Sequence, residues 1–475
     1  MKDAIIGREA EKDLLNKIYE SKQSEFVAVC GRRRVGKTFL VKEYFEDEIV
    51  FSTAGLAHGN MQEQIKVFHK ALKRYGLEES SMPADWIDAF DLLIRLLSAL
   101  PEGRKVVFLD ELPWMDTPRA NFISALENFW NSWASSRHDI VLIVCGSATS
   151  WMMNKLINNH GGLYNRLTRR IFMQPFTLKE TETFLVSKGF NFSRYEIAEC
   201  YMIFGGIPFY LNLLQNTRSL AQNVDFLLFN PPGQLYDEFD NLYAALFSNS
   251  DDYVKIVSIL SQNKGGYTRK EIIEKAQINS GGGISTILKN LESCGFIRQY
   301  AQGERRTNDS IFQLVDFFTL FHFHFKSERK THGNQQWTNI QQKPEFYSWA
   351  GHTFETLTLL HVEQIKKKLG ITGVVSNNYS WRQAANDETP AMQIDLLIDR
   401  NDNTINLCEI KFSESRFKID SDYELTLRER MSAFKTMKKN KHKSLQITFV
   451  TTFGVAKNNH SGIVQNEVVL DDLFE

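Results

Sequence analysis

The stretch "GRRRVGKT", Gly31 to Thr38, constrains this chain more than any other. It follows the apolar run "FVAVC" and opens the helical pattern "KTFLVKEYF". Strand, glycine-rich loop and helix in that order match G-x-x-x-x-G-K-[ST], a phosphate-cradling loop. Gly31 and Gly36 let the backbone wrap an anion, and the intervening Arg32, Arg33, Arg34 and Val35 present their amides to it. Lys37 offers a point charge to the β- and γ-phosphates, and the Thr38 hydroxyl is a ligand for Mg²⁺. Phe39 follows at the start of the helix, whose N-terminal partial charge favours an anion. ATP or ADP with Mg²⁺ is the expected ligand.

Further apolar runs alternate with helical stretches. "KVVFLD" and "IVLIVCGS" join "FVAVC" as candidate buried parallel strands, which predicts an α/β, doubly wound core over residues 1–175. "VVFLDELPW" puts Asp110 and Glu111 at a strand end. Asp110 would hold Mg²⁺, and Glu111 would polarise the attacking water. Ser147, at the end of the next strand, either hydrogen-bonds the γ-phosphate or, like Thr149, caps a helix. "GGLYNRLTRR" offers Arg166, with Arg169 and Arg170, as a guanidinium for the γ-phosphate or as ordinary surface charge. Acting within the chain or into a neighbouring copy, Arg166 leaves a homo-oligomer among the expectations. Ile6, Gly7 and Arg8 in "IIGRE" either shape an adenine pocket or simply pack.

These ordered motifs resemble the AAA+-like ATPases of the archaeal-ATPase group, related to the signalling ATPases with numerous domains. The resemblance rests on "GRRRVGKT", the D-E strand end, the "GS" strand end, the arginine-rich segment before "PF", and "FGGIPFYL" from Phe204. It covers about the first half of the chain. It implies a helical lid, here residues 176–245, and a nucleotide switch whose turnover can be slow. "CGSATSW" departs from the pattern, with no Asn or Arg at the polar sensor position.

Residues 246–335 read as three helices closed by a β-hairpin, the order of a winged helix. The third helix presents Ser285, Thr286, Lys289 and Asn290, and "QGERRTND" with Arg305 and Arg306 is the expected wing. DNA contact and protein packing are both open for this module. "FHFHF" places His322 and His324 on one face of an expected strand, as structural residues or a partial metal site.

In residues 336–475, "QIDLLIDRNDNTINLCEIKF" reads as a hairpin. With a three-residue loop or a bulge, Asp395 faces Glu409, and Lys411 shares their face; with a symmetric four-residue loop Asp395 faces Cys408. Opposed carboxylates are costly unless a cation lies between them. Asp395 and Glu409 could hold Mg²⁺, Lys411 could stabilise the transition state of phosphodiester hydrolysis, and Glu355 from the helix "GHTFETL" could add a third carboxylate. Glu, Asp and E-x-K in this order resemble the PD-(D/E)xK nuclease fold. Their place after such an ATPase resembles the C-terminal domain known as the domain of unknown function 234. A solvated strand with salt bridges is the alternative. The helix "YELTLRERMSAFKTMKKNKHK" carries Arg428, Lys435, Lys438 and Lys439, a stripe for a nucleic-acid backbone or a solvated face.

The whole pattern predicts a P-loop AAA+-like core, a helical lid, a winged helix and a PD-(D/E)xK-like α/β domain. The function it implies is ATP hydrolysis coupled to metal-dependent action on DNA. The alternative is a nucleotide-controlled DNA-binding or signalling switch with an inactive nuclease fold. Net charge is −1, so any DNA contact needs local patches rather than a global field. The five cysteines form no CxxC pair, and no apolar run approaches about 18 residues, so a cytoplasmic protein without membrane contact is expected.

Overall fold

Burial on both faces decides the architecture of the first half. In the computed structural model, β1 (Glu25–Cys30), β3 (Lys105–Asp110) and β4 (Ile140–Gly146) are buried at every residue. A strand apolar on both faces needs helices above and below it, which a parallel sheet provides. The structure describes residues 5–147, 151–157, 165–247, 249–278, 282–300, 310–325, 336–383, 392–436 and 440–475. The chain divides into two compact units, Met1–Pro175 and Phe176–Glu475.

The first unit holds a parallel sheet in the order β2-β3-β4-β1-β5, with β2 at Ile49–Ala54 and β5 at Arg169–Phe172. The sequence pattern predicts the three central strands but neither edge. β5 buries one residue of four, so it carries no continuous apolar run. Because β4 lies between β1 and β3, the loop after β1 and the carboxylates ending β3 open on one crevice at the carboxyl end of the sheet. One face packs on an aromatic cluster: Trp86 meets Phe122 with ring centroids 4.7 Å apart, and Phe90 stacks on Phe129 at 5.2 Å.

The second unit begins with short helices. Leu178–Ser187, Arg194–Phe204 and Leu220–Val224 each start at a capping box, in which Thr177, Ser193 or Ser219 bonds reciprocally with Glu180, Glu196 or Gln222. Helices Ser250–Ser261, Arg269–Ala276 and Gly282–Ser293 accompany a small sheet in the order β6-β8-β7, with β6 (Tyr267–Thr268) between the first two helices and β7 (Ile297–Tyr300) and β8 (Ile311–Leu314) after the third. Residues 301–309, including the expected wing with Arg305 and Arg306, lie outside the described residues.

"FHFHF" is helical, within Phe317–Phe325, not the strand its alternation suggests. The reason lies just upstream. Asp316 accepts from the Thr319 amide at 3.0 Å and from the Thr319 hydroxyl at 2.6 Å, which starts a helix at Phe317. The two histidines therefore diverge. His322 stacks on Phe239 at 3.9 Å in the core, while His324 approaches Glu345 at 3.9 Å.

The last sheet is mixed, in the order β13-β12-β11-β10-β9. β9 (Ser376–Gln383), β10 (Met392–Arg400) and β11 (Thr404–Lys411) are antiparallel; β12 (Ser444–Thr451) and β13 (Asn466–Val469) run parallel to β11. The run "LQITFVTTF" reads as the final strand, but the short β13 follows β12. "GHTFETLTLLHVEQIKKKLG" forms two helices rather than one, Pro344–Leu360 and Val362–Lys368, broken at His361 with φ −115° and ψ 30°.

The β10–β11 hairpin turns through Asn401, Asp402 and Asn403. Asn403 has φ +61°, the left-handed residue that closes a three-residue loop. Its register pairs Leu396 with Cys408 and Leu397 with Leu407, so the next facing position sets Asp395 across from Glu409. The ladder stops there because the Asp395 carboxylate itself accepts from the Ile410 amide, at 3.5 Å. On its other side β10 shifts register against β9 between Ile394 and Leu397, a bulge that re-aims Asp395.

Asn403→Val should destabilise the protein by about 1–2 kcal/mol in urea denaturation, because a β-branched residue tolerates the left-handed conformation poorly. Asn403→Gly should leave stability nearly unchanged. Equal stability of all three proteins would mean that this loop does not set the register.

Candidate nucleotide site and a second carboxylate cluster

In the first unit, the loop after β1 is shaped by its backbone. Gly31 has φ +148°, and a Cβ there would lie 2.5 Å from the Met173 carbonyl oxygen. Gly36 has φ +91° and caps the helix Lys37–Phe45, whose first bond runs from the Leu40 amide to the Gly36 carbonyl at 2.8 Å. No other residue type fits Gly31, so the loop can lie flat against β5. Lys37 is buried, and its ammonium donates to the carbonyls of Gly31 and Arg32, both at 2.9 Å. A buried ammonium held by two neutral carbonyls is charge-unbalanced, the state an anion in the loop would correct. Arg32 and Val35 are buried, Arg33 and Arg34 half-buried, and Phe39 is exposed.

The adjoining strand ends supply acid and hydroxyl groups. Thr38 Oγ1 donates to Asp110 Oδ2 at 2.8 Å, so the two expected Mg²⁺ ligands from separate elements already meet. The Glu111 amide donates to Asp110 Oδ1 at 2.9 Å. Glu111 sits at φ +44°, a strained setting for a residue with a Cβ. Its Oε2 accepts from the Ser147 hydroxyl at 2.9 Å and from the Ser147 amide at 3.2 Å. Ser147 is thus a tether for Glu111, a role neither sequence expectation includes. Thr149 lies outside the described residues.

Arg8 is buried at φ +59°, donates to the Val35 carbonyl at 3.3 Å and lies 3.7 Å from Glu11. This fastens the N-terminal segment, with Gly7 at φ +65° and half-buried Ile6, to the loop. Arg166 is exposed in the turn before β5. Cys30, at the end of β1, has its thiol pushed up to about 12 by burial, against the charges of Lys37 and Arg170.

In the second unit, the hairpin register sets Asp395 across from Glu409 with Lys411 on their face, and Glu355 from the helix Pro344–Leu360 is near enough for its charge to act on Asp395. Burial, then the charges of Glu355 and Glu409, push the Asp395 carboxyl up to about 7. Burial alone would raise Glu355 too, but His352, whose Nδ1 lies 3.8 Å from Oε1, and the charges of Lys264 and Lys411 hold it below the usual range. Lys264 Nζ lies 3.5 Å from Glu355 Oε1, and Gln393 Nε2 donates to Asp395 Oδ1 at 3.1 Å. Glu409 is buried and occupied at both oxygens. Arg430 donates to Oε1 at 2.7 Å and Tyr423 to Oε2 at 2.8 Å, with Lys411 at 3.7 Å. Among the described residues, no group of three His, Cys, Asp or Glu side chains stands close enough to hold a metal ion. The carboxylates converge, but Glu409 is drawn to Arg430.

The expected basic stripe on the helix Ser421–Thr436 is not a free face. Arg428 pairs with Glu424 at 2.5 Å and Lys435 donates to the Lys443 carbonyl; Lys438 and Lys439 lie outside the described residues. In the helix Gly282–Ser293, Asn290 donates to the Tyr253 hydroxyl at 2.8 Å, so it is turned inward, while Ser285, Thr286 and Lys289 are exposed. Lys264, His352, Tyr423 and Arg430 are absent from the sequence reading. Only the partner of an i+21 contact identifies Arg430, and no local spacing encodes that.

The raised Asp395 carboxyl has a stability consequence. The folded state binds a proton that the unfolded chain has released, so stability falls from about pH 4 to about pH 7 and is level above. Asp395→Asn removes this penalty. It should be more stable than the parent by about 1–4 kcal/mol at pH 8 and close to it at pH 4, read by urea denaturation. The same difference at both pH values would contradict the buried, charge-crowded setting of Asp395.

Comparison with known proteins agrees with the geometry of the first unit. A family described as "ATPase domain predominantly from Archaea" matches residues 5–214. The uncharacterized protein MJECL04 of Methanocaldococcus jannaschii is 23% identical over 370 residues, 76% of this chain and 78% of that protein. Among solved structures, the Walker-type ATPase PABY2304 of Pyrococcus abyssi is 16% identical, covers 68% of this chain and 96% of its own, and superposes with a TM-score of 0.47. The ORC2 protein of Aeropyrum pernix, in its ADPNP–ADP complexes, is 13% identical, covers 66% and 91%, and gives 0.41. No helix among the described residues is long and apolar enough to cross a membrane. Residues 5–214 are thus similar to an ATPase domain found predominantly in Archaea.

Proposed function

We propose that this protein binds and hydrolyses ATP with Mg²⁺ in the first unit, and that the second unit uses its carboxylate cluster to cleave phosphodiester bonds in DNA under the control of that nucleotide. The observation that carries the first half is the meeting of Lys37, Thr38 and Asp110 around a loop only glycine can form. Lys37 exchanges its two carbonyl partners for phosphate oxygens. Thr38 and Asp110 hold Mg²⁺, which when bound neutralises charge on the phosphates. Glu111, released from Ser147, orients water toward the γ-phosphate. Arg166 or Arg170 supplies a guanidinium from the segment before β5, from the same chain or a neighbouring copy.

For the second half, the supporting observation is the register that sets Asp395 across from Glu409, with Glu355 and Lys411 close enough for their charges to act on Asp395. Crowded carboxylates of this kind fit a divalent cation, because its charge would offset the burial and the neighbouring carboxylates that raise Asp395. Lys411 then steadies charge on the phosphate. The three-helix module with the sheet β6-β8-β7 fits a winged helix, and the mixed sheet β13-β12-β11-β10-β9 fits a PD-(D/E)xK-like domain. We read the four segments 1–175, 176–245, 246–335 and 336–475 as ATPase core, lid, winged helix and nuclease-like domain.

A second reading has its own observation. Arg430 and Tyr423 fill both oxygens of Glu409, as expected if the fold no longer cuts and serves a nucleotide-controlled DNA-binding or signalling switch.

Three measurements separate these readings. Lys37→Ala should abolish ATP hydrolysis and weaken ATP binding at least tenfold. Glu111→Gln should bind ATP with near-parental affinity yet hydrolyse it about 10²–10⁴-fold more slowly; an unchanged rate would remove Glu111 from the chemistry. Plasmid nicking in Mg²⁺ or Mn²⁺ should be present in the parent and lost in Lys411→Ala. Nicking by both, or by neither, rejects cleavage at this cluster, and DNA binding without cleavage would leave the switch.

A further inference from the structure

The second unit contains a cavity of about 620 Å³ whose wall includes Lys264, Arg298, Tyr300, His352, Glu355 and Asp395. Its two sides differ in chemistry. Asp395 and Glu355 come from the sheet and helix of the carboxylate cluster, whereas Arg298 lies on β7 and Lys264 on the turn before β6. We propose that Arg298 and Lys264 bind a nucleotide phosphate in this cavity, and that the phosphate belongs to a nucleic-acid strand lying against Asp395 and Glu355. The proposal rests on the reading of that cluster as a phosphodiester site, and names the residues that recognise its substrate.

Arg298 carries the argument. Its guanidinium is half-buried, and burial draws its pKa below the ordinary value. Among the described residues no carboxylate lies within ion-pair distance of it. Its Nε donates to Gln313 Oε1 at 2.6 Å, and its guanidinium carbon lies 5.0 Å from the centre of the Tyr300 ring. An arginine held this firmly, without a counter-ion, is costly unless an anion arrives. A planar guanidinium is suited to a phosphate, which it can grip with two parallel bonds.

The same framework fixes Lys264. Gln313 Nε2 donates to the Lys264 carbonyl at 2.6 Å, and Tyr300 donates to the Gly265 carbonyl at 2.7 Å. One short network thus locks Arg298 and the Lys264 turn together. The Lys264 ammonium meanwhile spans the cavity to His352 Nδ1 at 3.3 Å and Glu355 Oε1 at 3.5 Å. Cations and carboxylates that line one cavity match a phosphodiester, whose charge needs the first and whose cleavage needs the second. The volume suits a nucleotide-sized group.

The test uses the full chain without ATP, in EDTA at low salt. The probes are a fluorescein-labelled single-stranded 12-nucleotide DNA and, separately, dAMP. Arg298→Gln and Lys264→Gln should each weaken strand binding at least tenfold and lower the salt slope by about one, while Arg298→Lys recovers part of the affinity. Lys188→Gln, on a surface helix end, should change neither. Urea denaturation of each variant keeps loss of fold apart from loss of binding. If the strand binds and both glutamine variants match the parent in affinity and slope, Arg298 and Lys264 are not the phosphate site, and the DNA reading survives. If the parent binds neither probe, both fall. If dAMP binds through these residues and the strand does not, the strand is overturned as the occupant.

Discussion

A single buried repulsion organises the second unit. The β10–β11 register sets Asp395 across from Glu409, and the helix Pro344–Leu360 adds Glu355. Three carboxylates at one end of a sheet cannot all be ionised without cations near them. The structure offsets this in separate ways: Arg430 and Tyr423 at Glu409, Lys264 and His352 at Glu355, and a raised carboxyl at Asp395. Each cation comes from a different element. The crowding therefore ties the three-helix module, the long helix and the last helix to one point of the sheet.

The first unit solves the opposite problem. There the loop after β1 gathers positive charge, from Lys37 and a helix N-terminus, with only carbonyls to meet it. Acid waits nearby but is paired elsewhere, Asp110 with Thr38 and Glu111 with Ser147.

Much of this was legible in the sequence, for reasons that differ by residue. The P-loop is legible because one local stretch contains its strand end, both glycines, Lys37 and Thr38. The buried strands β1, β3 and β4 are legible because both their faces are apolar; β2, β5 and β13 are edges buried at only some of their residues and carry no such run. The register of the hairpin was open between two loop lengths, and a left-handed Asn403 decides it. "FHFHF" misleads because alternation over five residues reads as a strand, while the Asp316 cap that makes it a helix lies outside the motif. Lys264, Arg298 and Arg430 were not legible as site residues. Lys264 and Arg430 reach their partners from distant elements, and Arg298 is fixed by the strand pairing that sets Gln313 beside it, so no motif records these contacts.

The central claim is that the carboxylate cluster is a cation site and that its ion pairs are the resting state of that site. Crystals grown in Mn²⁺ and measured at the manganese edge test it most directly. The account predicts an anomalous peak within coordinating distance, about 2.0–2.6 Å, of Asp395 and Glu409, with the Arg430 guanidinium withdrawn from Glu409. Full Mn²⁺ in the crystal, no peak at the cluster, and Arg430 still bound to Glu409 would contradict it.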